Sequence, residues 1–545
     1  MRRLPVIVLI GIVAVAVAGL AALGLGTSGA PSSSRAPSAI ARASSATPAG
    51  SAKPTGSPSP NPTPSASLPP VDSPLADVPI VPVAQYRTTA EEVTLADIQA
   101  AFEGTGKVWN GLELVESEAP AIIAGLGLDG PPGIDRLFLA PDAATVMKDL
   151  AKNRKILGVL RADAVGPGVR ALGWGGHTLF GVDAVKTVAA WGLSARLPQR
   201  SDTPVFDPAG SFTIVAGGDI MLDRGVAQEL KINGKGADFP FDGGTATITG
   251  HCRNCSPLGW DTPDTQRTGN AGVVRHLIES ADIAIANFEN PAPDAFRYHT
   301  SGTVFSADPA LIKGLADTGI DWVGIANNHI RDAGGIGILQ TIANLKKDGI
   351  RSSGAGKDFA AAHKPAILTA GGVKVAFLAY DTIAKAYGAS ATRAGSAQMS
   401  ASAVRKDVAA ARKAGAQVVI VFPHWGTEYD PTPFAGQQAL ARAAIDAGAD
   451  LVIGNHAHWA GAMEVYEGKP IWYALGNFVF DQTWSEPTME GLTLELTFRG
   501  PTLVQARMRP HIILDKAQPN FLDPVGSGRV VMGQVFDASK GMLPW

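Results

Sequence analysis

Six short apolar runs in the C-terminal two-thirds of the chain each stop on the same kind of residue, and that repetition limits the folds open to it. Phe212 to Gly217 runs into Asp219. Asp282 to Ala286 runs into Asn287 and Glu289, Trp322 to Ala326 into Asn327, Asn328 and His329, and Val418 to Pro423 into His424, Glu428 and Tyr429. Leu451 to Gly454 leads to His456 and His458, and the run beginning at Trp472 ends on Asn477 and Phe478. Between these runs lie helix signals. Asp308 before Pro309 reads as an N-cap with proline at the first helical position, Gly319 ends that helix, and Ser400 and Gly415 bracket another. Short β-branched strands alternating with helices imply an α/β fold, with helices covering the faces of a sheet.

In such sheets ligands gather outside the carboxyl ends of strands, so groups far apart in sequence can converge there. Carboxylate, amide and imidazole side chains together offer hard-to-borderline oxygen and nitrogen ligands, suited to Mn, Fe, Zn or Mg rather than to a thiolate-loving metal. His456 and His458 stand two apart, which on an extended segment turns both rings to one side. Each residue alone has a plain structural explanation. A histidine after a strand is commonly a hydrogen-bonded, partly buried side chain, Asn328 tolerates a left-handed turn, and Asp219 would cap the next helix. Arg224 and Glu428 alone read as surface charges. Recurrence of the right residue type at successive strand ends favours one shared metal site.

The remaining chain sets the context. Its 545 residues exceed what one core organises. Arg2 and Arg3 precede an uncharged apolar run from Leu4 to Leu25, long enough to span a bilayer and longer than the apolar core of a cleaved signal. Residues 1–25 are therefore expected to form a retained signal-anchor, a single-pass transmembrane helix that leaves the bulk of the chain extracytoplasmic. No cysteine ends the run, which excludes lipidation there. Residues 26–83, rich in Ala, Ser, Pro, Gly and Thr, read as a disordered, semi-rigid linker. Residues 84–200 alternate strand and helix signals and form a smaller α/β domain, 211–485 form the main domain, and 486–545 supply strands that complete it. The formal charge of -3, with 17% charged residues, marks neither a nucleic-acid binder nor a polybasic membrane-surface binder. Cys252 and Cys255 are the only cysteines. A lone CxxC fits half a zinc site, a redox pair or a local disulfide, and outside the membrane a disulfide pinning a surface insertion is favoured.

The polar clusters also carry a resemblance. The segments Gly218 to Arg224, Asn287 to Pro291, Ala326 to His329, His424 to Tyr429, Gly454 to His458 and Gly476 to Gln482 follow the motif order of the poly-γ-glutamate capsule biosynthesis protein CapA family. That family is in turn similar to the calcineurin-like metallophosphatases. The resemblance implies a metallophosphatase-like β-sandwich covered by helices, holding one or two divalent metal ions. It would make Asp219 and His458 ligands of one metal, Asn328, His424 and His456 ligands of a second, and Glu289 the bridge. His329 would be the acid that protonates a leaving group. Two departures stand out: Met221 occupies the position of a histidine ligand, and Glu289 replaces an aspartate. The first metal is thereby one ligand short, and a mononuclear centre is an alternative.

With metal bound, Arg224 would make paired contacts to an anionic substrate oxygen, and Glu428 or Asp332 would orient a ligating histidine through its other ring nitrogen. Asn287, Asn327, Asn477 and Asp481 would hold ligands or loops from behind, while His251 and His299 decorate loops. The implied function is membrane-anchored biosynthesis, export or anchoring of an anionic capsule polymer, alongside other capsule-synthesis membrane proteins, with metal-dependent hydrolysis of an ester. The alternative is a non-catalytic component that holds the polymer. Separately, Thr94 to Gly111 resembles a segment in one lobe of phosphate-type periplasmic solute-binding proteins, so residues 84–200 read either as a binding lobe or as a docking domain without a ligand.

Overall fold

The computed structural model describes residues 73–200 and 205–543. The expected anchor and most of the expected linker lie outside them. Among the described residues no helix is long and apolar enough to cross a membrane.

Ordered structure starts earlier than the sequence suggests. All but the last two residues of the strand Leu75–Gln85 lie in the stretch expected to be linker, yet it is central to the smaller domain, with Ile80, Val81 and Val83 fully buried. It pairs antiparallel with Ile156–Arg161, Val169–Ala171 and Ser194–Pro198. Pro79 and Pro82 hide it, because proline withholds a donor and argues against an interior strand. Gly111–Val115 and Leu137–Ala140 extend the sheet in parallel beyond Ile156–Arg161. Helices Leu95–Glu103, Ala119–Leu126 and Ala143–Lys152 connect these strands. The first opens on a capping box between Thr94 and Asp97, a device worth about 1 kcal/mol.

This domain is fastened to the main one by side chains of two C-terminal strands, Glu490–Arg499 and Thr502–Leu514. Gln505 Oε1 accepts from Ala171 N at 3.1 Å, Glu495 Oε1 accepts from Val182 N at 2.8 Å, and Arg499 donates to Asp163 O at 3.0 Å. Val504 packs into the smaller domain's core.

Two large sheets build the main domain, with a two-stranded ladder of Ala355–Gly356 and Gly395–Ser396 beside them. In the larger, Ser211–Ile220 is flanked by the parallel strand Ile283–Phe288, followed by Trp322–Gly324 and Arg351–Ser353. On its other side runs antiparallel Glu490–Arg499, followed by Thr502–Leu514, Gln518–Leu522 and the hairpin Thr245–Cys252 with Thr262–Gly269. In the smaller sheet Val373–Asp381, Val418–His424, Leu451–Ile453 and Lys469–Trp472 run parallel, edged by Ala366–Ala370 and Met463–Tyr466. One apolar cluster contains residues of both sheets, among them Ile214, Trp322, Phe377, Phe422 and Leu494. The outer face of the larger sheet packs on helix Gly334–Lys347, and that of the smaller on Ala401–Lys413 and Ala435–Asp446. The order is helix, sheet, sheet, helix, a mixed α/β architecture.

Several local expectations can be read directly. Asp308 accepts from Ala310 N and Ser400 from Ala403 N, each opening its helix, and Gly319 and Gly415 adopt φ of 91° and 92° after the helices end. Cys252 and Cys255 are disulfide-bonded at the tip of the edge hairpin. The C-terminal strands complete the larger sheet, and a helix the sequence reading omitted, Arg529–Ala538, follows them.

Candidate metal centre

Strand register begins the site. Asn287 and Asn477 flank Asp219 as its partners in parallel ladders, and His424 closes the strand Val418–His424 beside a bridge to Asn455. Asp219 thus belongs to its strand, where backbone pairing fixes it. Asn287 Nδ2 donates to Asp219 Oδ1 at 2.8 Å and lies 3.2 Å from His424 Nδ1. Asn327 Nδ2 donates to Phe288 O at 2.8 Å, and its Oδ1 accepts from His329 N at 3.2 Å.

Around Glu289 the groups close in. His424 Nε2 lies 3.6 Å from Glu289 Oε1, 2.7 Å from Asn328 Oδ1 and 3.1 Å from His456 Nδ1. His458 Nε2 lies 3.8 Å from Glu289 Oε1, and its Nδ1 is 3.6 Å from Asp219 Oδ2 and 2.9 Å from Asn477 Oδ1. Two metal-compatible groups result, Glu289 with His424 and His456, and Asp219 with Glu289 and His458, sharing Glu289.

The donor set fits a divalent cation. Glu289 is 0% exposed and neither carboxylate oxygen has a hydrogen-bond partner. Burial, with Asp219 nearby, pushes its pKa well above the usual carboxylate range, and burial pushes Asp219 up to about 7. Burial also drives His424 and His458 well below their ordinary pKa and His456 down to about 3, so the imidazoles are neutral lone-pair donors. A buried carboxylate without a donor, as at Glu289, is costly, and a cation among neutral imidazoles offsets that cost.

Four expectations need correcting. His456 and His458 do not converge by extended-strand alternation, since their φ values are 93° and 58° and the left-handed backbone of a tight turn aims the rings. Such conformations cost of order 1–3 kcal/mol and persist where surrounding structure enforces them. Arg224 is not a free fork. It is 8% exposed, donates through Nη1 to Gly302 O at 2.7 Å, and pairs through Nη2 with Asp481, against the rings of Phe305 and Phe480. Glu428 is exposed, whereas Asp332 sits 2.9 Å from His329 Nδ1. His299 does more than decorate its loop: its Nδ1 is 2.6 Å from Asp223 Oδ2.

Asp223, fully buried, is the residue the sequence reading missed. It caps the turn at Arg224 and accepts from His299 N and Ser306 N, tying the loop around Phe305 to the first motif. Its signal was available, four residues after Asp219 in the same motif. Met221, where a histidine ligand is lacking, is wholly buried, and its sulfur accepts from Asp223 N. His251 meets Glu486 at 2.9 Å, away from the cluster.

The family model described as bacterial capsule synthesis protein PGA_cap matches residues 213–482. Capsule biosynthesis protein CapA of Bacillus anthracis is 32% identical over 289 residues, which cover 51% of this chain and 70% of that protein. PGA biosynthesis protein CapA of Bacillus subtilis is 34% identical over 216 residues, 39% of this chain and 57% of that protein. The structure of the NAD nucleotidase of Haemophilus influenzae aligns with 61% of this chain and 56% of its own, at 13% identity and a TM-score of 0.33, a likeness too slight to carry an argument.

Proposed function

The chain belongs to the bacterial capsule synthesis protein family, and we propose that the cluster around Glu289 gives it a divalent-metal centre for hydrolysis of an ester or related bond in an anionic capsule polymer of the poly-γ-glutamate type. The observation that carries this reading is Glu289 itself, a buried carboxylate with no internal donor, ringed by Asp219 and three neutral imidazoles. Asp219, Glu289, Asn328, His424, His456 and His458 would hold one or two ions of Mn, Fe, Zn or Mg. Such an ion, when bound, polarises a phosphoryl or acyl oxygen and lowers the pKa of water.

The chain's own residues do the rest. Asn287 and Asn477 fix Asp219, His424 and His458 from behind. Asp332 holds His329 by Nδ1 while Phe305 lies 4.1 Å from its ring, leaving Nε2, 4.0 Å from Glu289 Oε1, to carry a proton to a leaving oxygen. Arg224, clamped by Asp481 and Gly302 O, keeps the loop that carries Phe305 in place. In this reading the run from Leu4 to Leu25 anchors the chain in the cell membrane and places the centre outside, beside other capsule-synthesis membrane proteins.

The test is hydrolysis of an aryl phosphodiester by the full chain with Mn or with chelator, beside His456→Ala. Metal-dependent turnover lost in the variant is expected, and a purified chain that binds no divalent metal would sink the reading. Met221, buried where a further ligand would stand, favours a second reading in which the cleft holds polymer without cleaving it. Capsule formation in cells carrying Asp219→Ala with His456→Ala would select that one.

A further inference from the structure

Three loops of the smaller domain meet the helix Arg529–Ala538 along a groove of about 720 Å³. Arg87 follows the strand Leu75–Gln85, Lys107 precedes Gly111–Val115, and Arg154 with Lys155 precedes Ile156–Arg161. Topology assembles them. The last two strands are parallel neighbours that start at the edge where the first, antiparallel to them, ends. Arg529 completes the opposite wall from the helix.

Five cationic side chains therefore line one groove that contains no carboxylate, in a chain whose formal charge is -3. None of the five pairs with a described carboxylate, and four of them are exposed, Arg87 being half-buried. Cations crowded without counter-charge repel one another, and a bound polyanion relieves that repulsion.

Two further features narrow the ligand. Trp109 and Phe536 give the groove apolar surface, with the Arg87 guanidinium 5.7 Å from the Phe536 ring centre. Gln85, 2% exposed, lines the groove, donates its Nε2 to Ala151 O at 2.6 Å and leaves its Oε1 without a partner. A buried acceptor left without a donor calls for an N–H. A polyphosphate has none to give. A polyamide bearing side-chain carboxylates offers N–H groups, anionic charge and methylene surface together.

We propose that this groove is a binding site for a polycarboxylate polyamide chain of the poly-γ-glutamate type, distinct from the metal centre, none of whose residues line it. The inference takes the polymer class from the proposed function and none of its chemistry. The same helix also reaches the metal centre's loop, since Gln534 Nε2 donates to Ala460 O at 2.8 Å, two residues beyond His458.

The test is equilibrium binding of a fluorescent poly-γ-glutamate oligomer to the full chain in detergent, over a range of salt. The comparison set is Arg154→Glu with Lys155→Glu, Arg529→Glu, and His456→Ala, all with thermal unfolding and metal content measured. Both groove variants should bind at least tenfold more weakly, with a shallower salt dependence, while metal content and unfolding temperature stay unchanged. His456→Ala should keep the groove-dependent, salt-sensitive part of the parent chain's binding. Undiminished binding by folded groove variants would overturn the inference, as would loss confined to His456→Ala, which would place the polymer at the metal centre and leave the proposed function standing. Polyphosphate of matched charge, or vesicles rich in anionic lipid, competing as well as the oligomer would overturn the polyamide assignment. Groove-dependent binding by a chain that holds no metal would keep this site while refuting the hydrolytic reading.

Discussion

Glu495 and Glu289 are both shut off from solvent, 2% and 0% exposed, yet the fold treats them differently. Glu495 Oε1 accepts from Val182 N at 2.8 Å, and its Oε2 accepts from Arg509 Nε at 2.8 Å and Nη2 at 2.7 Å. Glu289 accepts nothing, and its neighbours are neutral imidazole nitrogens and the carboxylate of Asp219. The chain supplies positive charge to one carboxylate and withholds it from the other. A buried anion without compensation costs several kcal/mol. What offsets that cost at Glu495 is built into the sequence, and at Glu289 it has to arrive from solution.

The largest effect expected from this contrast is loss of bound metal. His424→Ala with His456→Ala removes two of three donors from one group, and the purified variant should retain no ion in that group by elemental analysis, while folding is preserved. Next comes stability. Glu495→Ala takes the partner from Arg509, whose side chain is 21% exposed, and the acceptor from the buried Val182 N, and should cost about 1–3 kcal/mol in urea unfolding. Glu289→Gln in chelator should cost little or nothing, because without a cation burial already favours the neutral carboxyl that glutamine resembles. Equal losses in the two variants would erase the contrast.

His511 sharpens the same comparison among histidines. It is wholly buried but self-sufficient, with Nε2 2.9 Å from Asn477 O and Nδ1 3.1 Å from Thr493 Oγ1. Burial pushes its pKa down to about 4. The unfolded ring takes up a proton near pH 6.5, before the folded one does, so its contribution is full above that pH and is lost as pH falls toward 4. Roughly 3 kcal/mol is at stake. The stability difference between the parent chain and His511→Gln should shrink between pH 7.5 and pH 4.5, and a difference independent of pH would contradict a neutral buried ring. The smallest effect belongs to a supporting residue. Asn477→Ala leaves His458 Nδ1 without its partner and should weaken metal binding about 10–100-fold in a chelator competition, with the fold intact.

How much of this was legible before folding depended on how local the cause was. The polar groups after each apolar run were visible because strand ends in parallel sheets deliver side chains to one edge, and caps such as Asp308 and Ser400 act within a few residues. The aim of His456 and His458 was not, because their left-handed backbone is imposed by packing rather than by any residue preference of histidine. Arg224 was misread for a related reason: its partners, Asp481 and Gly302, are far away in sequence and meet it only in the folded chain. Residues 75–83 of the strand Leu75–Gln85 read as linker on the Ala-, Ser- and Pro-rich composition of 26–83, and only long-range pairing makes them a strand. The groove's cations were scattered among loops, and only the ladder order of the smaller sheet reveals them as one surface.

The central claim, that Glu289 is buried uncompensated because a cation completes it, is tested most directly by the metal content of the purified full chain beside Glu289→Gln after exposure to Mn, Fe, Zn and Mg. The account predicts at least one tightly held divalent ion in the parent chain and its loss in a variant that remains folded. A parent chain free of metal under all four, or a variant that holds as much as the parent, would contradict it.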